Sequence, residues 1–259
     1  MFISVTDLMT WLNEWFWPFI RIGACLMVAP VFGATYTPAR TRLALAVIIS
    51  LAIGPLLPAP PAVELFSLEG VAIIAQQLLI GVAIGFLLQL VFDAIGLAGQ
   101  LLANSMGLSF AFNVDPQRGA ATAAVGQYYV IFMLLTFLAL DGHLAIIELL
   151  VDGFSVLPVG TMGLGADGFW TLVGVGGVMF SGALKIALPG LTALLVANIA
   201  FGLISRAAPT LNIFSVGFPI SIIFGLLVLQ FGLPGVQAGF LELMTQAFAD
   251  VTALQAGGR

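Results

Sequence analysis

The chain has 259 residues, of which 61% are hydrophobic and only 7% are charged, and its formal net charge is −5. A composition this apolar excludes a water-soluble globular domain and is typical of an integral membrane protein. The 7 lysines and arginines form no basic patch for nucleic acid, and the single cysteine, Cys25, excludes an intrachain disulfide and a cysteine metal cluster.

Apolar runs of about 20 residues recur along the chain, which predicts an all-α, polytopic helical membrane protein. The first predicted helix runs from about Trp11 to Gly33 and the second from Leu43 to Leu57. A proline-broken loop follows, in which Ser67 is expected to cap the longest helix, from about Glu69 to Met106. At about 1.5 Å per residue this helix exceeds the hydrocarbon thickness of a bilayer.

Small and polar residues follow one another along one face of the long helix, at steps of three and four. We interpret this stripe as lining a pore or facing partner subunits: Gly85, Gln89, Asp93, Gly96, Gln100 and Asn104. The alternative is tight packing between helices through small residues, since Gly81 and Gly85 have G-x-x-x-G spacing.

The second half of the chain starts with LSFAFNVDPQRGAATAAVGQ, residues 108–127, which is too irregular for a full crossing. A helix from Tyr128 to Leu140 and an acidic, glycine-rich region at 141–168 are expected next. Phe169 to Ser205 is apolar apart from Lys185, with Pro189 as a kink or break. Ile213 to Phe231 is the last apolar helix, and an amphipathic helix with a frayed tail ends the chain. Together these segments suggest about six crossings.

Motifs for catalysis are absent, so no enzymatic activity, cofactor or metal is expected. GLGADG, residues 163–168, formally matches a dinucleotide-binding pattern but lies in the acidic region and follows no predicted strand. Ionisable residues within membrane helices are functional candidates, which singles out Arg21, Asp93 and Lys185. A small-molecule secondary transporter is the alternative function, but it would usually need several such groups near mid-membrane, and these three are scattered along the sequence. Each could instead pair with a neighbouring helix or face water.

FGLISRAAPTLNIFSVGFPISIIFGL, residues 201–226, closely resembles the signature of the FliR family of flagellar type III export gate proteins. PFIRIGACLMVAPVFG, TPARTRLALA, GQLLANSMGLSFAFNVDP and LDGHLAIIELLVDGFSVLPVG carry further similarity, in the family's order. The resemblance covers nearly the whole chain.

This resemblance implies a subunit that forms and seals the channel through which unfolded flagellar subunits are exported. It implies long tilted helices and helical hairpins in one domain, 1–259, with a FliP-like part at about 1–168, a FliQ-like hairpin at about 169–235 and an amphipathic tail at 236–259. The implied partners are FliP and FliQ subunits around a single copy of this chain, FlhB-type and FlhA-type export proteins, unfolded substrates and membrane lipid. The implied location is the bacterial inner membrane, in the flagellar basal body.

Two sets of site residues are carried over by position. The plug loop corresponds to about Met106–Thr122, with gating residues Met106, Phe110, Phe112, Asn113, Val114, Asp115, Pro116, Gln117 and Arg118. The assembly hairpin is assigned Lys185, Arg206, Pro209, Asn212, Phe214, Gly217, Phe218 and Pro219.

Overall fold

The computed structural model describes residues 5–33, 37–59, 61, 63, 67–108, 120–160, 163–207 and 217–257. In these ranges the chain is helical, as the sequence predicts. The helices, with one 3₁₀ turn at Gly54–Leu56, are α1 Val5–Val28, α2 Ala39–Ile53, α3 Leu68–Ser105, α4 Ala120–Ala139, α5 Gly142–Val156, α6 Ala166–Ala207 and α7 Phe218–Ala256.

The start and the length of α3 follow from its sequence. The Ser67 hydroxyl oxygen accepts a hydrogen bond from the Gly70 amide at 3.0 Å, which satisfies one of the free N–H groups of the first turn. No proline interrupts the 38 residues that follow, so the helix is continuous for about 57 Å. The predicted cap and the predicted long helix are both confirmed.

Helix α5 was not predicted, because its acidic residues suggested a loop. Ile146, Leu150 and Phe154 are buried at intervals of four residues, whereas Glu148 and Asp152 are exposed on the other side of the helix. An amphipathic helix therefore occupies this region. It follows α4 after a bend of 67°.

Pro189, which was expected to kink or break its helix, lies inside a continuous helix, and so does Pro234. α6 continues through Pro189, and α7 continues through Pro234 to Ala256. Prolines are tolerated in membrane helices where neighbouring groups satisfy the backbone. The helix end predicted at Phe231 is therefore wrong. Val251, Leu254 and Gln255, near the end of α7, are buried.

The described residues form two compact units, each assembled from separated parts of the sequence. One unit comprises residues within 1–90, 138–176 and 245–259, and the other comprises residues within 91–137 and 177–244. In the first unit Ile22 and Leu26 of α1 pack with Ala46, Ile53 and Phe154. In the second, the Phe92 ring makes edge contacts with those of Phe137 and Phe240, at centroid distances of 5.7 and 5.3 Å.

Four helices of the described chain are long and apolar enough to cross a membrane, or five spans if the bent α4–α5 pair counts as one. They are the helices at Ala39–Leu56, Leu68–Ser105, Ala166–Ala207 and Pro219–Ala256. The sequence suggested about six crossings, counting α1. Helix α1 is not among these four helices of the described chain.

Candidate functional site

Arg21 is the buried cation of the first unit, and its contacts show what it does. Its Nε donates to Gln77 Oε1 at 2.7 Å, and one terminal nitrogen donates to the Leu157 carbonyl at 2.9 Å. The other terminal nitrogen lies 3.4 Å from the Gly153 carbonyl, and the guanidinium carbon is 4.1 Å from the centre of the Phe154 ring. These partners satisfy the charge, so Arg21 joins α1 to α3 and α5 and is occupied structurally.

Helices α1 and α3 touch through glycines. A Cβ on Gly81 would overlap the Arg21 carbonyl oxygen and lie 2.8 Å from the Ala24 Cβ, and one on Gly85 would lie 2.7 Å from the Cys25 carbonyl oxygen. The G-x-x-x-G spacing therefore places the two backbones in direct contact. Gly85, which the sequence assigns to the polar stripe, lies in this contact inside the chain.

The other stripe residues have different surroundings. Gly96 packs against Val130 of α4, at 3.4 Å from an added Cβ to the Val130 Cγ2, and Gln89 is half-buried. Asp93, Gln100 and Asn104 are exposed. These three polar side chains of α3 therefore lie on the exposed surface of the chain.

The end of α3 is fixed by contacts with α6 and α7 in the second unit. Met106 is buried against Gly225, where an added Cβ would lie 2.5 Å from the Met106 Cε. The Asn198 side-chain amide donates to the Ser105 carbonyl at 3.3 Å. Met106 is the described member of the gating set; Phe110, Phe112 and 113–118 lie outside the described residues.

In the hairpin, the Lys185 Nζ lies 2.7 Å from the Glu242 Oε1, and the two side chains are 71% and 66% exposed. Lys185 is therefore an ion-paired cation on the exposed side of α6 within this chain. Arg206 and Pro219 are exposed and Gly217 is half-buried. Pro209, Asn212, Phe214 and the side chain of Phe218 lie outside the described residues.

Sequence reasoning missed several of these residues. Gln77 and Gln255 are fully or nearly fully buried, and Glu242 pairs with Lys185 from 57 positions away. A glutamine on an otherwise buried face of α3 was the available signal for Gln77. Nothing in the sequence indicated the partner of Lys185. The described residues contain no group of three or more metal-ligating His, Cys, Asp or Glu side chains.

The apolar surfaces of α6 and α7 are largely uncovered within the chain. Only 11% of the apolar span of α6 and 17% of that of α7 are buried, against 67% for α3. The exposed side chains on α6 include Phe169, Trp170, Phe180, Leu195, Val196 and Ile204.

A sequence profile of the family described as bacterial export proteins, family 1, matches residues 12–247. The chain belongs to this family. Among relatives in family 1, the flagellar biosynthetic protein FliR of Pectobacterium carotovorum subsp. carotovorum is 40% identical over 242 residues, covering 93% of this chain and 92% of the relative.

The FliR protein of Escherichia coli strain K12 is 38% identical over 240 residues, with the same coverage. FliR of Bacillus subtilis strain 168 is 28% identical over 208 residues, covering 79% of this chain and 80% of the relative. The similarity therefore extends through both compact units and the hairpin.

Proposed function

We propose that this chain is a component of the flagellar type III protein export gate, where it helps to form and seal the channel for unfolded flagellar subunits. The observation that carries the proposal is full-length similarity to proteins named flagellar biosynthetic protein FliR, within a family of bacterial export proteins. In this proposal the chain forms part of a protein-conducting channel, and no catalytic step is assigned to it.

The exposed apolar length of α6 supports a place in a larger assembly. Its exposed large apolar side chains extend from Phe169 to Ile204, which is about 52 Å of helix. A hydrocarbon layer of about 30 Å would cover that length only if the helix tilted by roughly 55°, beyond the usual range of about 0–40°. Part of this surface is therefore expected to be covered by other protein subunits.

The partners that fit this place are the FliP and FliQ subunits, around one copy of this chain, with FlhA-type and FlhB-type proteins nearby. In this arrangement the N-terminal part is FliP-like and α6 and α7 are a FliQ-like hairpin. The assembly sits in the bacterial inner membrane, at the flagellar basal body. Exposed Asp93, Gln100 and Asn104 on α3 are candidate contacts with the channel or a partner.

The seal is proposed for the loop that includes Phe110 to Arg118. This assignment rests on the family resemblance and on the apolar residues at 110, 112 and 114, which suit a plug that excludes water. Met106, the first residue of the assigned loop, is held against Gly225. Shortening residues 110–118 should make the closed gate conduct small ions, and unchanged membrane conductance in cells with the full complex would contradict the assignment.

The test of the function is deletion of the gene in the bacterium that encodes the chain. We expect loss of flagella and of exported flagellar subunits from the medium, and recovery with the wild-type gene. Normal export in the deletion strain would refute the proposal. For assembly, Gly217→Leu is expected to reduce recovery of the complex while the chain is still made. Normal recovery of the complex would count against a docking role for the hairpin.

A further inference from the structure

A groove lies between α6 and α7 in the second unit, with a volume of about 630 Å³. That volume falls in the range of pockets that hold small organic ligands. Small and ring-constrained residues of both helices keep it open: Gly182, Pro189, Gly190, Gly232, Gly235 and Gly239. A Cβ on Gly232 or Gly235 would meet no atom within 4 Å. The groove is therefore open apolar space on a membrane protein.

One end of the groove is charged. Among the described residues that line it, Lys185 is the basic one and Glu242 the acidic one, and they form the 2.7 Å ion pair. An ammonium has three N–H donors, and a carboxylate has two acceptor oxygens. While they are paired, Lys185 can therefore still donate hydrogen bonds to another group, and Glu242 can still accept them. A zwitterionic group, with a phosphate for Lys185 and an ammonium for Glu242, complements this end.

The length of the groove matches one leaflet of a bilayer. From Lys185 to Ala193 on α6, and from Glu242 to Val228 on α7, the lining residues span about 12 and 21 Å. Half of the hydrocarbon thickness is about 15 Å. The 20 uncharged residues from Ile186 to Ser205 correspond to about 30 Å, which is a full hydrocarbon layer. The ion pair therefore lies at the level of a headgroup when this part of α6 crosses the membrane.

We infer that the groove binds one phospholipid with a zwitterionic headgroup, with an acyl chain along the glycine-lined wall and the headgroup on Lys185 and Glu242. The inference requires that residues 186–205 of α6 cross the membrane, and it does not depend on the export function. The lipid would fill the space between α6 and α7 that the side chains of this unit leave open.

Native mass spectrometry of the purified full chain in mild detergent tests the inference, with phosphatidylethanolamine or phosphatidylglycerol added. The wild type should keep one phosphatidylethanolamine, and the double variant Gly232→Leu with Gly235→Leu should lose it. The matched control is Gly174→Leu with Gly177→Leu, since both of these glycines are also exposed, three residues apart, with no atom within 4 Å of an added Cβ, and do not line the groove. The control should keep the lipid.

A second variant tests the headgroup contact without changing the shape of the groove. Lys185→Gln with Glu242→Gln should abolish the preference for phosphatidylethanolamine over phosphatidylglycerol. The inference is overturned if the wild type retains no phospholipid, if both leucine pairs retain or lose it equally, or if the glutamine pair leaves the preference unchanged.

Discussion

The glycine contact between α1 and α3 makes a sharp prediction about stability. In Gly81→Ala the added methyl group would overlap the Arg21 carbonyl oxygen and lie 2.8 Å from the Ala24 Cβ. Carbon atoms in contact prefer a separation of about 3.5–4.0 Å, so α1 has to move by roughly 1 Å. The same face of α3 also places Gly85 against the backbone of α1, which leaves little freedom for that movement.

The expected change in the free energy of unfolding of Gly81→Ala is the sum of two terms. Replacing glycine by alanine inside a helix stabilises it by about 1 kcal/mol, whereas overpacking costs about 1–3 kcal/mol. Gly202→Ala is the matched control, because an added Cβ there meets nothing within 4 Å and only the helix term remains. The stability difference between the two variants should therefore equal the packing term, about 1–3 kcal/mol.

The assay is equilibrium unfolding of the purified chain in mixed micelles with increasing dodecyl sulfate, followed by loss of helical circular dichroism. Gly202→Ala should unfold at a dodecyl sulfate fraction equal to or above that of the wild type, and Gly81→Ala below that of Gly202→Ala. Equal midpoints for the two variants would show that α1 and α3 are not in direct backbone contact at Gly81.

Four further substitutions test three other contacts in the same assay. Arg21→Met should destabilise the chain by roughly 2–4 kcal/mol, because the Leu157 carbonyl and the Gln77 side chain lose their donor; a change under about 0.5 kcal/mol would contradict the network. Ser67→Ala should cost about 1 kcal/mol through loss of the α3 cap, and no change would show that the bond to Gly70 is unimportant. Gly225→Ala should destabilise, and Met106→Ala in the same chain should relieve part of that loss; strictly additive effects would exclude the contact.

Local sequence rules predicted those parts of the fold that depend on neighbouring residues. Ser67 preceding a proline-free apolar run specified the start and the length of α3. The spacing of Gly81 and Gly85 offered a helix contact only as the alternative to a pore-lining stripe, and this alternative is the one that the structure shows for these two glycines. The sequence could not say which helix would lie there, since that depends on the path of the whole chain.

The wrong predictions share a physical cause. Packing against distant parts of the chain decided the structure where the neighbouring residues in the sequence indicated a loop or a helix end. Acidic Glu148 and Asp152 suggested a loop, yet both lie on the exposed side of α5 while Ile146 and Phe154 are buried. The apolar run that ends at Phe231 suggested a helix end, yet α7 continues to Ala256.

The sequence identified the charged candidate residues, but it could not predict their surroundings in the fold. Arg21 and Lys185 are each isolated in apolar sequence, yet one is enclosed by hydrogen-bond acceptors and the other is exposed on an ion pair. Gln77 lies 56 positions from Arg21, and Glu242 lies 57 positions from Lys185. No local sequence pattern encodes contacts at such separations.

Native mass spectrometry of the tagged chain, co-expressed with the products of its neighbouring genes and extracted in mild detergent, tests the central claim most directly. An export-gate subunit should appear in a large particle that holds one copy of this 27.1 kDa chain and several copies of small helical partners. A stable monomer or homodimer that binds no partner would contradict the gate.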